Sequence, residues 1–376
     1  MRLSRLLAGA AVLALAPAAV ARAQGTVGAQ GLGYPPGQLS TISEGAAGAL
    51  ADFDGSSAVN PAAIVNVPTV SLFVHVAPER RRTTVGAASD ESRVVRFPVI
   101  GAVIPLGSHG AIGLGSSTLL DRTWSTLRDV DGTPDGEGVL EGFEVRGAIN
   151  DVRLAGAWAF SPRFAAGLGA HLLTGVNQLT VSRVDQAEGG DAGFTSTAEI
   201  GFDGTAASAG VQWLVARHLA VAAAGQVGGV VRANRGDSLL AKGRAPARAD
   251  LDLRYDGITG ATLGLRASWR GWSSLDDLGS DVLEANDALE VGFGGDIAGP
   301  RVFGSRVAMR LGARWRDLPF GVAGEQPSEI AATGGLGFVL GGGRVLLDLS
   351  AERARRTAGD AKETAWVFGA GLTLRP

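Results

Sequence analysis

The sequence predicts an all-β chain, a transmembrane antiparallel β-barrel of about 14 strands. Three observations predict it. After residue 68, apolar and polar residues alternate with a period of two through most of the chain. The alternating stretches run about 10 to 20 residues, against a usual 5–6, and tilted strands of about 9–11 residues already cross a bilayer. Short connections also alternate with longer ones, the pattern of periplasmic turns and extracellular loops.

The elements follow in order. Arg2 and Arg5 precede the apolar run Leu6 to Val20, and Ala21-Arg22-Ala23 offers a small-residue cleavage site before Gln24. This is the pattern of a cleavable signal peptide over 1–23, and it points to export and a bacterial outer-membrane location. No cysteine follows the site, so a lipoprotein anchor is excluded. Residues 24–68 are rich in Gly, Ala and Ser, carry Pro35-Pro36 and Asn60-Pro61-Ala62, and show no sustained period. A short helix is expected over Gly45–Asp52, with Ser43 as its N-cap.

The barrel is expected over 69–376. Its strands are read at 69–77, 92–105, 109–120, 148–160, 163–183, 194–216, 219–232, 247–255, 260–272, 287–297, 303–316, 328–340, 344–354 and 363–374. The clearest sets Val307, Met309, Leu311, Ala313 and Trp315 against Arg306, Arg310, Arg314 and Arg316. Short turns are expected at 106–108, 161–162, 217–218, 256–259, 298–302 and 341–343, with longer loops at 78–91, 121–147, 184–193, 233–246, 273–286, 317–327 and 355–362. Asp203-Gly204 is read as a bulge inside one strand. Trp366, Phe368, Ala370, Leu372 and Leu374 form a last strand expected to pair with Val70–Val76 and close the barrel, as lipid requires.

Composition removes other classes. The chain has 34 basic and 37 acidic residues and a net charge of -3, which argues against a nucleic-acid partner. The absence of cysteine excludes disulfides, Cys-ligated metals and thiol catalysis. No cofactor or metal is expected. Beyond the leader, no run of about 18 apolar residues exists to form a membrane helix. The four histidines are scattered, and the acidic stretch Asp129, Asp131, Asp135 and Glu137 lacks the sharp-turn glycine of a calcium loop. Aromatic residues are 6% of the chain, sparse for interfacial girdles; Trp124, Trp158, Trp213, Trp269, Trp272, Trp315 and Trp366 are the candidates near strand ends.

Asn60-Pro61-Ala62, preceded by the small residues Gly45–Leu50 and by Asp54–Ala58, resembles the hatch of the FadL/TodX family of outer-membrane hydrophobic-compound transporters. Phe97-Pro98 to Pro105-Leu106, Gly113-Leu114-Gly115, Trp269 to Trp272-Ser273 and Leu318-Pro319-Phe320 also resemble that family. The resemblance spans most of 43–374. It implies a 14-stranded barrel with an N-terminal hatch inside the lumen, and passive uptake of long-chain fatty acids or aromatic hydrocarbons. A non-enzymatic channel among outer-membrane lipids is expected, its oligomeric state unknown from the sequence and a monomer the expectation. The same fold serves a branch acting as shuttle or assembly partner in protein export, which is the alternative.

The candidate residues divide by role. Asn60, Pro61 and Ala62 are the hatch element, Pro61 holding Asn60 extended. Pro98 removes a ladder hydrogen bond from its strand and marks a candidate lateral gap. Arg153, Arg254, Arg266, Arg310 and Arg314, with Asp252, Glu290 and Asp348, point inward. They can line a tunnel, Arg suiting a carboxylate through a bidentate pair, or form a mutually neutralising ladder that braces wall and hatch. Glycine-rich stretches such as Gly334–Gly343 mark kinks or hatch contact. A third reading is a barrel hydrolase, which a His within reach of both a Ser and an acid would favour.

Overall fold

A computed structural model describes residues 27, 31–86, 88–129, 139–185, 193–278, 284–302, 305–321 and 324–376. The expected signal peptide and the acidic residues Asp131, Asp135 and Glu137 lie outside the described residues. The strands are β1 (Ser71–Val85), β2 (Ala88–Arg96), β3 (Val99–Leu106), β4 (Gly110–Asp121), β5 (Trp124–Asp129) and β6 (Val139–Ser161). They continue as β7 (Phe164–Asp185), β8 (Gly193–Ala216), β9 (Leu219–Arg235), β10 (Ser238–Arg244), β11 (Ala247–Ile258) and β12 (Ala261–Gly271). The last are β13 (Ala288–Val302), β14 (Ser305–Asp317), β15 (Ser328–Leu340), β16 (Val345–Ala358) and β17 (Ala361–Leu374).

All pairings are antiparallel, and β17 returns to β1 from Leu72↔Leu374 to Val85↔Ala361, so the sheet closes. Closure removes the two edges that the first and last strands would otherwise present to lipid. Three staves of the wall are interrupted, at Phe97-Pro98, Arg122-Thr123 and Ala245-Pro246, so the 17 strands make a 14-stranded barrel. Proline explains the first and third breaks, since it has no N–H to give the ladder.

The expected loops shrink where the strands outrun the membrane. Residues 78–91, 233–246 and 355–362 are hairpins whose strands continue to tight turns near Gly86, Gly236 and Gly359, each with positive φ. The turn expected at 298–302 is instead strand, because β13 continues to Val302. The bulge at Asp203-Gly204 appears as a register shift between Gly204 and Ala206.

Burial along each strand is inverted relative to a water-soluble sheet. Leu168 is 70% exposed and Phe160 66%, whereas Asp252, Glu329 and Arg356 are 0% exposed. The apolar face therefore meets lipid and the charged face meets the lumen. Trp158, Trp213, Trp269, Trp315 and Trp366 are exposed on the outer face, but Trp272 is buried and leaves the girdle set.

Residues 31–66 run through the lumen. The helix of this segment is Thr41–Gly45, not 45–52, because Ser40 rather than Ser43 caps it and the positive φ of Ala47 and Gly48 ends it. It packs on β15 and β16, the turn Ala51–Phe53 on β9 and β11, and the turn Pro61–Asn66 on β6, β7 and β8. Much of the wall's glycine faces this segment. A Cβ on Gly210 would lie 2.0 Å from Asn60 Oδ1, and one on Gly264 would lie 2.0 Å from the Ala49 carbonyl. Glycine lets the segment's Asn60 side chain and Ala49 backbone approach the wall this closely.

Candidate functional site

The lumenal segment packs on the wall through Ala58 and Ile64 against Phe73, Val99 and Val103 and through Phe53 against Ala220 and Ala222. Beside these contacts stand three polar clusters and a larger apolar one. The first cluster surrounds Tyr34. Its hydroxyl donates to Glu329 Oε2 at 3.0 Å and accepts from Arg356 Nη2 at 2.8 Å and from Arg316. The guanidinium carbons of Arg356, Arg96 and Arg316 sit 4.3, 4.6 and 5.0 Å from the ring centroid, a cation–π arrangement. Burial, opposed by Arg316 and Arg356, pushes the Tyr34 hydroxyl up to about 12, so it remains a donor. Glu329 also receives Arg314 and Arg316 at 3.0 and 2.7 Å.

The second cluster joins Asp52 to Arg266 at 2.9 Å; Arg266 continues to Asp250 at 2.5 Å and Glu290 at 3.0 Å. The third runs Ser117–Gln38–Asp151–His171–Ser208. Gln38 Nε2 donates to Ser117 Oγ at 2.8 Å and Asp151 Oδ2 at 3.2 Å; His171 bridges Asp151 Oδ1 at 2.8 Å and Ser208 Oγ at 2.7 Å. Within the segment itself, burial pushes Asp54 up, but hydrogen bonds from Ser40, Ser56 and Ser43 outweigh it and hold the carboxyl below its usual range.

The expected inward arginines are all found on this face. Arg153 donates to the Ser57 carbonyl at 3.3 Å, Arg254 lies 4.6 Å from the Phe53 ring centroid, and Arg310 bridges Asp296 and Asp348 at 2.9 and 2.7 Å. Arg314 reaches Glu352 at 2.9 Å, and Arg266 reaches Asp52 as above. Asn60 caps the Pro61–Asn66 turn through Ala62 N–H at 2.9 Å and reaches the Asp52 and Val211 carbonyls. Asn60 is extended and Ala62 is fully buried against β7.

At Pro98 the wall is incomplete. The register with β1 slips, Val74 facing Ile100 but Ala77 facing Arg96. On the other side the Thr118 N–H reaches the Pro98 carbonyl at 3.1 Å. Beyond that bond, among the described residues, β2 pairs with β1 and no ladder joins it to β4 or β5. The lumenal segment covers this seam. Tyr34 and Asp121 exchange both backbone hydrogen bonds at 2.8 Å, and Arg96 reaches Asp121 at 2.5 Å. A Cβ on Gly33 would lie 2.6 Å from the Asp121 carbonyl, so this approach requires glycine.

The apolar cluster lies against the same edge. A register shift between Thr118 and Leu120 buries both Leu119 and Leu120. They join Leu173 and Phe202 of the wall beneath the turn Trp272–Leu278, whose Trp272, Leu275 and Leu278 close the cluster with Phe320. The Trp272-Ser273 and Leu318-Pro319-Phe320 stretches thus meet here, their rings 6.4 Å apart. A cavity of ≈ 30 Å³ beside Tyr34 and Pro98 and another of ≈ 30 Å³ beside Trp272 and Arg316 each have room for one or two waters.

Sequence reasoning missed Tyr34, Asp121, the serine–histidine–aspartate chain and the apolar cluster. Pro98 signalled the seam; nothing in the aperiodic 24–68 stretch singled out Tyr34. No protein-family model matches the chain and no curated protein does. Solved structures share its fold. They include a FadL homologue of Pseudomonas aeruginosa, 14% identical, covering 91% of this chain and 99% of that one at a TM-score of 0.62. The toluene transporter TodX of P. putida is 11% identical, with 92% and 99% covered at 0.59. The monoaromatic hydrocarbon channel CymD is 10% identical, with 90% and 97% covered at 0.57.

Proposed function

We propose that this barrel is an outer-membrane channel for passive uptake of hydrophobic small molecules, long-chain fatty acids or aromatic hydrocarbons. The observation that carries the reading is the meeting of the buried apolar cluster with the edge of β4 at Leu119–Asp121, which, among the described residues, no ladder joins to β2 and which Tyr34 covers. A hydrophobic solute entering the cluster gains about 0.8 kcal/mol per buried CH₂ without specific hydrogen bonds. The seam beside Pro98 then leads from the lumen toward lipid. Neither of the two ≈ 30 Å³ cavities beside the lumenal segment would hold such a solute, and in this reading Tyr34 and its neighbours leave the seam to let it pass. In this reading residues 24–68 act as the hatch, with Asn60, Pro61 and Ala62 as its fixed point on β7 and β8. The inward arginines Arg153, Arg254, Arg266, Arg310 and Arg314 hold the closed state and line the opened path. The fold's solved relatives named as toluene and monoaromatic hydrocarbon channels support a ligand of this class.

The test is uptake of a radiolabelled long-chain fatty acid and of an aromatic hydrocarbon in an outer-membrane mutant lacking its own transporter. The wild-type chain should confer uptake, and Pro98→Val should abolish it while the barrel still inserts. Undiminished uptake by Pro98→Val rejects the seam as the route.

The Asp151–His171–Ser208 chain favours a second reading, a hydrolase. Against it, the strand around Ser208 is engaged in ladders on both sides, and Gln38 holds the other Asp151 oxygen. No backbone N–H pair is therefore offered to an oxyanion at Ser208. Covalent labelling of Ser208 by a fluorophosphonate would establish the hydrolase; its absence leaves the chain as a wall-to-hatch tie. The large apolar loop residues Trp272, Leu275, Leu278 and Phe320 turn into the barrel rather than outward, so they form no exposed patch for the protein-export alternative.

A further inference from the structure

The outer face of β16, β17, β1 and β2 carries a basic surface that uptake does not use. The register places it. Arg80 lies opposite Trp366 on one side and Arg93 on the other, and Trp366 lies opposite Arg353. One outward step toward the longer loops, Arg82 lies opposite Thr364 and Glu91, and Thr364 lies opposite Arg355. Lys362 is the next outward residue of β17. These six cations are exposed and share one outward carboxylate. Glu91 bridges Arg80 at 2.8 Å and Arg82 at 2.6 Å, yet those arginines remain 57% and 66% exposed. The Arg353 guanidinium carbon sits 5.2 Å from the Trp366 ring centroid. Among the described residues, Arg93, Arg353, Arg355 and Lys362 have no ion pair.

Elsewhere toward the same end some outward charges are paired, as in Arg146–Glu144 and Arg232–Asp203, although, among the described residues, Lys242 beside Arg232 is not. Toward the short-turn end, the same four strands present Leu72, Val95, Leu349, Phe368 and Leu372 to the outside. The surface is therefore cationic immediately beyond an apolar belt, with a tryptophan at the boundary. Short turns face the periplasm, so the cationic zone meets the outer leaflet's headgroups.

We propose that this surface is a binding site for the phosphorylated headgroup of an outer-leaflet saccharolipid. Arginine pairs phosphate oxygens bidentately and surrenders little hydration in doing so. The acyl chains would run down the apolar belt, a continuity that commits the site to a lipid rather than to free phosphate. The proposal rests on the barrel spanning an outer membrane, not on what it transports.

The experiment titrates the full folded chain in detergent micelles with lipid A, monitored by native mass spectrometry, beside dephosphorylated lipid A and inorganic phosphate. Each protein cation removed should weaken lipid A binding about fivefold, so Arg353→Gln with Arg355→Gln should weaken it about 25-fold. Glu91→Gln should strengthen binding, and fatty-acid uptake by both variants should stay at the wild-type level. Equal binding of dephosphorylated lipid A, unchanged affinity in the variants, or displacement by inorganic phosphate at lipid A concentrations would overturn the proposal. Failed uptake with intact lipid A binding would instead strike at the channel reading alone.

Discussion

Two arcs of the wall solve the same problem differently. Between β6 and β7 the ladder runs from Val139↔Asp185 to Ser161↔Phe164, and the lumenal segment rests on that side of the barrel through small contacts such as Ala62 over Gly167. Between β2 and β4 the ladder stops at Pro98, and the segment itself supplies the missing backbone partner through Tyr34, held by a knot of arginines and carboxylates. Where the wall satisfies its own hydrogen bonds, the segment needs only to fit. Where the wall does not, the segment completes it, because unpaired backbone groups are costly away from water. The completed wall is thus a property of segment and seam together.

The largest expected effect breaks the charged arc. Glu329→Ala leaves Arg314, Arg316 and Arg356 without their shared carboxylate, and losing one partner of a buried pair costs about 3–5 kcal/mol. A lowered urea midpoint for release of the 31–66 segment, followed by limited proteolysis, is the expected result. On the laddered arc, Gly210→Val drives a side chain into Asn60, an overpacking worth about 1–3 kcal/mol. It should expose 31–66 to protease while the barrel keeps its heat-modifiable mobility. If the two variants release the segment in the same way, the arcs are not distinct.

Tyr34→Phe sharpens the contrast. It removes the hydroxyl from Glu329 and Arg356 but keeps the backbone exchange with Asp121, so a loss of about 1–3 kcal/mol is expected without opening the seam. Protease protection near Tyr34 should persist while the melting temperature falls.

The smallest effect is the pH dependence of the segment's helix. Burial, then Glu352, pushes the Glu44 carboxyl up to about 8, above its unfolded value of 4.5. The sign follows from linkage: its contribution is fully present below pH 4.5 and is lost as pH rises through about 8. Between pH 7 and 9 the segment should loosen by about 1.4 kcal/mol, and Glu44→Gln should flatten that slope. A slope that survives the substitution assigns the titration to another group.

Much of this architecture is legible in the sequence because lipid imposes a strict period. The alternation around Val307–Arg316 and the return of Trp366–Leu374 follow from one face meeting lipid and one meeting charge. Strand ends are less legible, since hairpins such as Val85 to Ala88 continue the same alternation beyond the membrane. The inward arginines were readable together with the wall acids Glu290 and Asp348 that pair with Arg266 and Arg310, but their partners on the lumenal segment were not. Tyr34 and Glu329 stand 295 positions apart, and no local pattern links them. Pro98 announced an interrupted ladder. That Leu119 and Leu120 both turn inward beside it depends on a one-residue register shift, which a period of two does not encode.

The central claim is that the lumenal segment must leave the seam for a hydrophobic molecule to pass. Tyr34 and Asp121 exchange both backbone hydrogen bonds, a pairing that sets Cα atoms about 5.5 Å apart, within disulfide range. The chain has no cysteine to compete. The direct measurement is long-chain fatty-acid uptake by cells carrying Tyr34→Cys with Asp121→Cys, oxidised and then reduced. Uptake should be absent in the oxidised state and return on reduction. Equal uptake in the two states, with the disulfide verified, would contradict the account.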